Sequence, residues 1–138
     1  MTYDIYYLVF GIKLDVELVD SMLNYLIDSG DFEDYFLKYY DDNCDDLKEY
    51  LIESGLVDQV LNEIWNDIES PYDGNGGCDI YIGKIVKQTD VSGTTKTKIS
   101  KGEKHQIIEK INAIKDCFPE EIQEMFPEPG FVSVHGTS

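Results

Sequence analysis

The sequence predicts an α+β domain: a small sheet of about four strands (an N-terminal strand, a central hairpin and a C-terminal strand) covered by five to six helices. Three observations carry this expectation. Residues 3–13 are apolar on both parities, Ile5, Tyr7 and Val9 alternating with Tyr6, Leu8 and Phe10, as in a central strand covered on both faces. From Asp15 to Ile68, apolar residues recur at helical spacing. Strand-like segments then return at 78–99 and 131–135, separated by further helical sequence. At 138 residues the chain is expected to form one globular domain, 1–138, long enough to bury about two-thirds of its surface.

Each element follows from local chemistry. Gly11 marks a bulge or a close backbone approach. Asp15 is placed to cap a helix that stops at Gly30, with Leu18, Val19, Met22, Leu23, Leu26 and Ile27 on its apolar side. Asp31 opens a second helix, to residue 40, in which Phe32, Tyr35, Phe36, Tyr39 and Tyr40 share one face. The run Asp41-Asp42-Asn43-Cys44-Asp45-Asp46 breaks it. A short helix, 46–54, carries Leu47, Tyr50 and Leu51 and ends at Gly55. Leu56, Val57, Val60, Leu61, Ile64, Trp65 and Ile68 form the longest stripe, which Ser70-Pro71 ends.

Residues 72–77 read as a loop. Residues 78–88 and 94–99 read as a hairpin turning between Asp90 and Gly93, the first strand carrying Ile80 and Ile82. A helix from about Gly102 to Phe118 buries Ile107, Ile108, Ile111 and Ile114, and Pro119 opens a last short helix, 119–126. Phe131 to His135 is the final strand. There is one internal echo: Asp4-Ile5-Tyr6 ahead of Gly11, and Asp79-Ile80-Tyr81 ahead of Gly83. It reads as two central strands of similar composition.

Charge narrows the function classes. The chain has 28 acidic and 11 basic residues, a net charge of -17, and every basic residue is a lysine. Such a chain is repelled by phosphate backbones and lacks the bidentate arginine contacts of nucleic-acid readers, so no direct nucleic-acid binding is expected. No apolar run of about 18 residues is present, so no membrane partner is expected either. Met1-Thr2-Tyr3-Asp4 resembles no signal peptide, and three scattered cysteines, Cys44, Cys78 and Cys117, fit a reducing compartment. The expected location is the cytoplasm, or the host cytoplasm for a viral chain. One alanine against 15 isoleucines and 10 tyrosines fits an AT-rich genome, such as that of a low-GC bacterium, a phage or a large DNA virus.

Motifs for chemistry are weak. Asp41-x-Asn43-x-Asp45 begins like an EF-hand loop, but Asp46 stands where glycine is needed and Ile52 where glutamate is needed. Asp73-x-Asn75-x-Gly77 is a turn sequence. Gly93-Thr94-Thr95-Lys96-Thr97 lacks the second P-loop glycine and falls in a hairpin. The cysteines and the two histidines, His105 and His135, have no zinc-ligand spacing; Cys117 is expected to pack as a small hydrophobe. No catalytic, metal or cofactor residue is assigned.

The charge is divided along the chain. Residues 1–79 hold 20 acidic and 3 basic side chains, residues 80–138 hold 8 of each, and 84–115 hold 8 lysines against 3 acids. Acids crowd between Asp28 and Glu53. The plain reading is a solvated face. The functional reading is a negative patch for a basic protein partner, with Asp31, Glu33, Asp34, Tyr35, Tyr39, Asp41, Asp42, Asp45, Asp46 and Glu49 as binding residues. The expected function is therefore a non-enzymatic interaction or inhibitor factor. One alternative is a homo-oligomer, formed by lysine-to-acid contact or by pairing of sheet edges. The other is an enzyme or ligand-binding domain with a site near Asp73–Asp79.

Overall fold

A computed structural model describes residues 4–39, 46–65, 68–69 and 80–137. It is α+β, with an antiparallel sheet packed against six helices. Strand β1 (Asp4–Leu14) lies in the centre, between β3 (Ile80–Asp90) and β5 (Gly130–Thr137). Strand β4 (Gly93–Lys96) folds back on the end of β3 as the expected hairpin; Ser92 N–H donates to Asp90 Oδ1 across the turn at 2.7 Å. Strand β2 (Ile68–Glu69) pairs with Tyr81 and Ile82 at the other end of β3.

Apolar residues on both parities of β1 do divide between two faces. Ile12 and Leu14 join the main core with Ile82 and the helices, while Tyr7 and Val9 form a second cluster with Tyr81 and Val134, made of strand residues alone. Val86 is an extra residue in β3, and it bends the register between Leu8 and Val9.

Gly11 explains itself in the sheet. It stands opposite Gly83 on one side and Gly130 on the other. A Cβ on Gly11 would lie 1.9 Å from the Ile82 carbonyl oxygen, and one on Gly83 would lie 2.1 Å from that of Phe10. The backbones approach so closely that only hydrogen fits at either position. The two glycines of the sequence echo are thus cross-strand partners.

The helices supply the rest of the core. Helix α1 (Val16–Ser29) starts at Asp15, whose carboxylate accepts from Leu18 N–H at 2.9 Å, and ends at Gly30 with φ +77°. Helix α2 (Glu33–Phe36) continues into one 3-10 turn (37–39) and is shorter than the expected helix. Its N-cap is Phe32, which offers no side-chain acceptor, and aromatic residues are indifferent helix formers. Helix α3 (Leu47–Glu53) is capped by Asp46, which accepts from Glu49 N–H at 3.2 Å. Helix α4 (Val57–Trp65) ends before Ile68, which pairs with Ile82 as strand instead of extending the stripe. The β3 edge supplies backbone partners for it there.

Helix α5 (Lys101–Lys115) lies across the sheet and begins with a full capping box, Ser100 with Glu103. Helix α6 (Glu120–Gln123) follows Pro119 and buries Ile122. Leu51 and Leu61 are fully buried in the same core, so truncating either to alanine costs about 2–5 kcal/mol. Cys117 does not pack inward: α5 has ended, Phe118 takes the core position, and the Cys117 thiol is exposed, donating to the Ala113 carbonyl. No described helix is long and apolar enough to cross a membrane.

Candidate functional site

From Asp31 on, the described part of the acidic run falls on two short helices, α2 and α3, and the residues just ahead of them. Asp31, Glu33, Asp34 and Tyr35 lie at the start of α2, all exposed. Asp46 and Glu49 lie in the first turn of α3, also exposed, with Asp46 tied down as the cap. Asp41, Asp42 and Asp45 fall outside the described residues, as do Tyr40, Cys44, Cys78 and the Asp73–Asp79 loop.

Tyr39 does not share the surface of Tyr35. Tyr35 is 38% exposed, whereas Tyr39 is 8% exposed and packs in the main core beside Phe36. Its hydroxyl reaches Glu63 Oε1 on α4 at 3.2 Å, and Lys38 Nζ reaches the same oxygen at 2.5 Å. The hydrogen bond from Lys38 holds the Glu63 carboxyl below its usual range and raises the Lys38 ammonium above its own. Burial, with the Glu63 charge adding, raises the Tyr39 hydroxyl.

A second carboxylate group gathers where α1 meets α3. Lys48 Nζ lies 2.8 Å from Asp20 Oδ1, and this hydrogen bond, with the fields of Asp46 and Asp28, raises the lysine above its ordinary value. One ammonium therefore answers three carboxylates. Among the described residues, Asp28, Asp31, Glu33, Asp34, Glu49 and Glu53 make no ion pair.

Apolar side chains are exposed in the same stretch. Among the described residues, eight large hydrophobic side chains are exposed, and four of them, Tyr35, Leu37, Tyr50 and Ile52, fall between 35 and 52. The sequence pointed to aromatic residues here; it missed Leu37 and Ile52, which lie off the aromatic spacing and are exposed where α2 and α3 are short.

The lysine-rich segment is employed differently. Lys84 on β3 pairs with Glu103 on α5, drawing the Glu103 carboxyl below its usual range. Lys104 lies over the rings of Phe10 and Phe131, at 5.5 and 5.1 Å from their centres. These contacts hold α5 on the sheet. Lys87 and Lys96, both exposed, stand directly opposite each other across the hairpin.

Described clefts are poor in reactive groups. One of about 310 Å³ runs between β3 and α5, with Ile82 and Ile107 on its walls; its Lys84 and Glu103 are paired to each other. Among the described residues, no group of three or more His, Cys, Asp or Glu side chains is placed to hold a metal. Comparison with models of protein families, with curated proteins and with solved structures finds no match.

Proposed function

We propose that this chain is a small non-enzymatic interaction protein, an accessory or inhibitor factor, whose acidic helices take a basic protein partner. One observation carries the reading: exposed carboxylates that make no ion pair among the described residues, Asp31, Glu33, Asp34 and Glu49, occur in the same stretch as exposed Tyr35, Leu37, Tyr50 and Ile52. Apolar contact with a polar rim is how protein interfaces gain affinity, and surplus charge of one sign speeds and selects the encounter. An intracellular setting, the host cytoplasm for a viral chain, accords with the exposed free thiol of Cys117.

A lysine- and arginine-rich peptide serves as probe. Replacing Asp31→Asn, Glu33→Gln and Asp34→Asn together is expected to weaken peptide binding about tenfold. Neutralising Glu120, Glu121 and Glu124, which belong to α6 and its C-cap and lie outside residues 28–53 of the sequence, serves as the control. Equal losses in both variants would show general attraction to a negative chain and would remove the proposal.

A further inference from the structure

The acidic stretch from Asp28 to Glu53 contains two lysines, Lys38 and Lys48. Both form ion pairs with carboxylates from outside the stretch. Lys48 pairs with Asp20 on α1 at 2.8 Å, and Lys38 pairs with Glu63 on α4 at 2.5 Å. The pairing of Lys38 is the more telling, because another carboxylate stands within reach on its own helix. Asp34 precedes Lys38 by four residues, one turn back along α2 and the 3-10 turn that continues it. An acid four residues ahead of a lysine is the favoured order for an ion pair along a helix. Asp34 is nevertheless exposed and makes no ion pair among the described residues.

Glu63 takes the lysine because further contacts hold the pair in place. Its Oε1 accepts from Lys38 Nζ and from the Tyr39 hydroxyl, and Lys38 Nζ lies 5.3 Å from the centre of the Tyr39 ring. The Glu63 side chain is 29% exposed, so water screens its attraction for the ammonium less than it screens that of the exposed Asp34. We propose that Glu63 is a positioning residue of the acidic surface: by withholding Lys38 it keeps Asp34 open to a lysine or arginine side chain of the basic partner. This rests on the function proposed above and specifies how its binding surface is kept negative. Leu37, three residues after Asp34 and 52% exposed, offers apolar area beside that carboxylate for the stem of the incoming side chain.

The test measures binding of the lysine- and arginine-rich peptide to the full chain at low salt, at a temperature where every variant is folded. Three backgrounds are compared: the original protein, Glu63→Gln, and Glu63→Gln with Lys38→Met. Glutamine keeps an acceptor for the Tyr39 hydroxyl while releasing the lysine. In the original protein, Asp34→Asn is expected to weaken peptide binding about threefold. In Glu63→Gln the freed Lys38 turns to Asp34, so the same substitution is expected to leave binding nearly unchanged. Removing Lys38 as well is expected to bring the threefold loss back. The carboxyl carbon resonance of Asp34, read without peptide, is expected to move in Glu63→Gln and to return when Lys38→Met is added. An unmoved resonance, or an equal loss from Asp34→Asn in all three backgrounds, would overturn the proposal while leaving the acidic helices as the binding surface. Peptide binding that ignores Asp34→Asn in the original protein would overturn it too, even where the resonance moves, and that failure would lie with the function proposed for this surface.

Discussion

The helices from Val16 to Trp65 and the sheet with its long helix α5 handle charge in opposite ways. Around α5, lysines are structural: Lys84 clasps Glu103, and Lys104 lies over Phe10 and Phe131. In the helical region, carboxylates far outnumber cations; Lys48 serves Asp20, Asp46 and Asp28 together, and the acids at the start of α2 have no ion-pair partner among the described residues. Unpaired like charges within about 10 Å oppose folding. Nothing in the packing requires them, because the helical core is built from Leu23, Leu26, Phe36, Leu51 and Leu61. On the proposed reading, charge that the described packing does not use serves recognition.

The largest effect that sharpens this contrast belongs to the sheet. Gly11→Ala or Gly83→Ala drives a methyl group into the neighbouring backbone and is expected to cost about 4 kcal/mol or more, enough to unfold a marginal domain. Gly30→Ala has open space around it and strains only its φ of +77°, so about 1 kcal/mol is expected. Urea unfolding of the three variants checks the order. Equal costs would mean that β1 and β3 are not pressed together at these glycines.

The caps come next. Ser100→Ala removes the capping box of α5 at a cost of about 1 kcal/mol. Asp15→Asn keeps an acceptor for Leu18 N–H while removing one of the surplus negative charges, so its unfolding free energy is expected within about 0.5 kcal/mol of the original. A loss at Asp15→Asn as large as at Ser100→Ala would show that the charge itself supports the helical region.

A pH series probes the one tight polar knot of the helices. The folded Glu63 carboxyl is depressed by Lys38, so its contribution is complete above the ordinary glutamate value of 4.5 and is lost as pH falls through the lower folded value. Glu63→Gln is expected to melt below the original protein at neutral pH, with the gap closing through the carboxylate range. A gap that persists in acid would place the effect in packing against Tyr39. The smallest change is Lys96→Thr, which relieves the lysine facing Lys87; a gain of a few tenths of a kcal/mol, about 0.3, is expected in thermal melts, fading with salt.

Much of this architecture was legible in the residues. The strand of 3–13, the caps at Asp15 and Gly30, the hairpin and the last strand all follow from spacing and turn chemistry, which are local. Failures came where tertiary partners decide. Ile68 fits a helical stripe equally well, and the β3 edge takes it. Tyr35 and Tyr39 share one spacing pattern, but Glu63 on a different helix draws Tyr39 inward. Cys117 is one residue from Phe118, and the end of α5 decides which of them packs. The Ser100-x-x-Glu103 capping box stood in the sequence and fixes the start of α5 at Lys101. The division of charge was readable by counting; which lysines act inside the fold was not, because Lys84 and Glu103 meet only once α5 lies across the sheet.

The central claim is that the carboxylates between Asp28 and Glu53, not the negative charge of the whole chain, form the proposed binding surface. Backbone resonances followed during titration with the lysine- and arginine-rich peptide test it most directly. The account predicts shifts concentrated from Asp28 to Glu53, Tyr35 and Tyr50 among them, and fading as salt is added. Shifts of equal size around Glu120, Glu121 and Glu124, or shifts centred on the sheet, would contradict it.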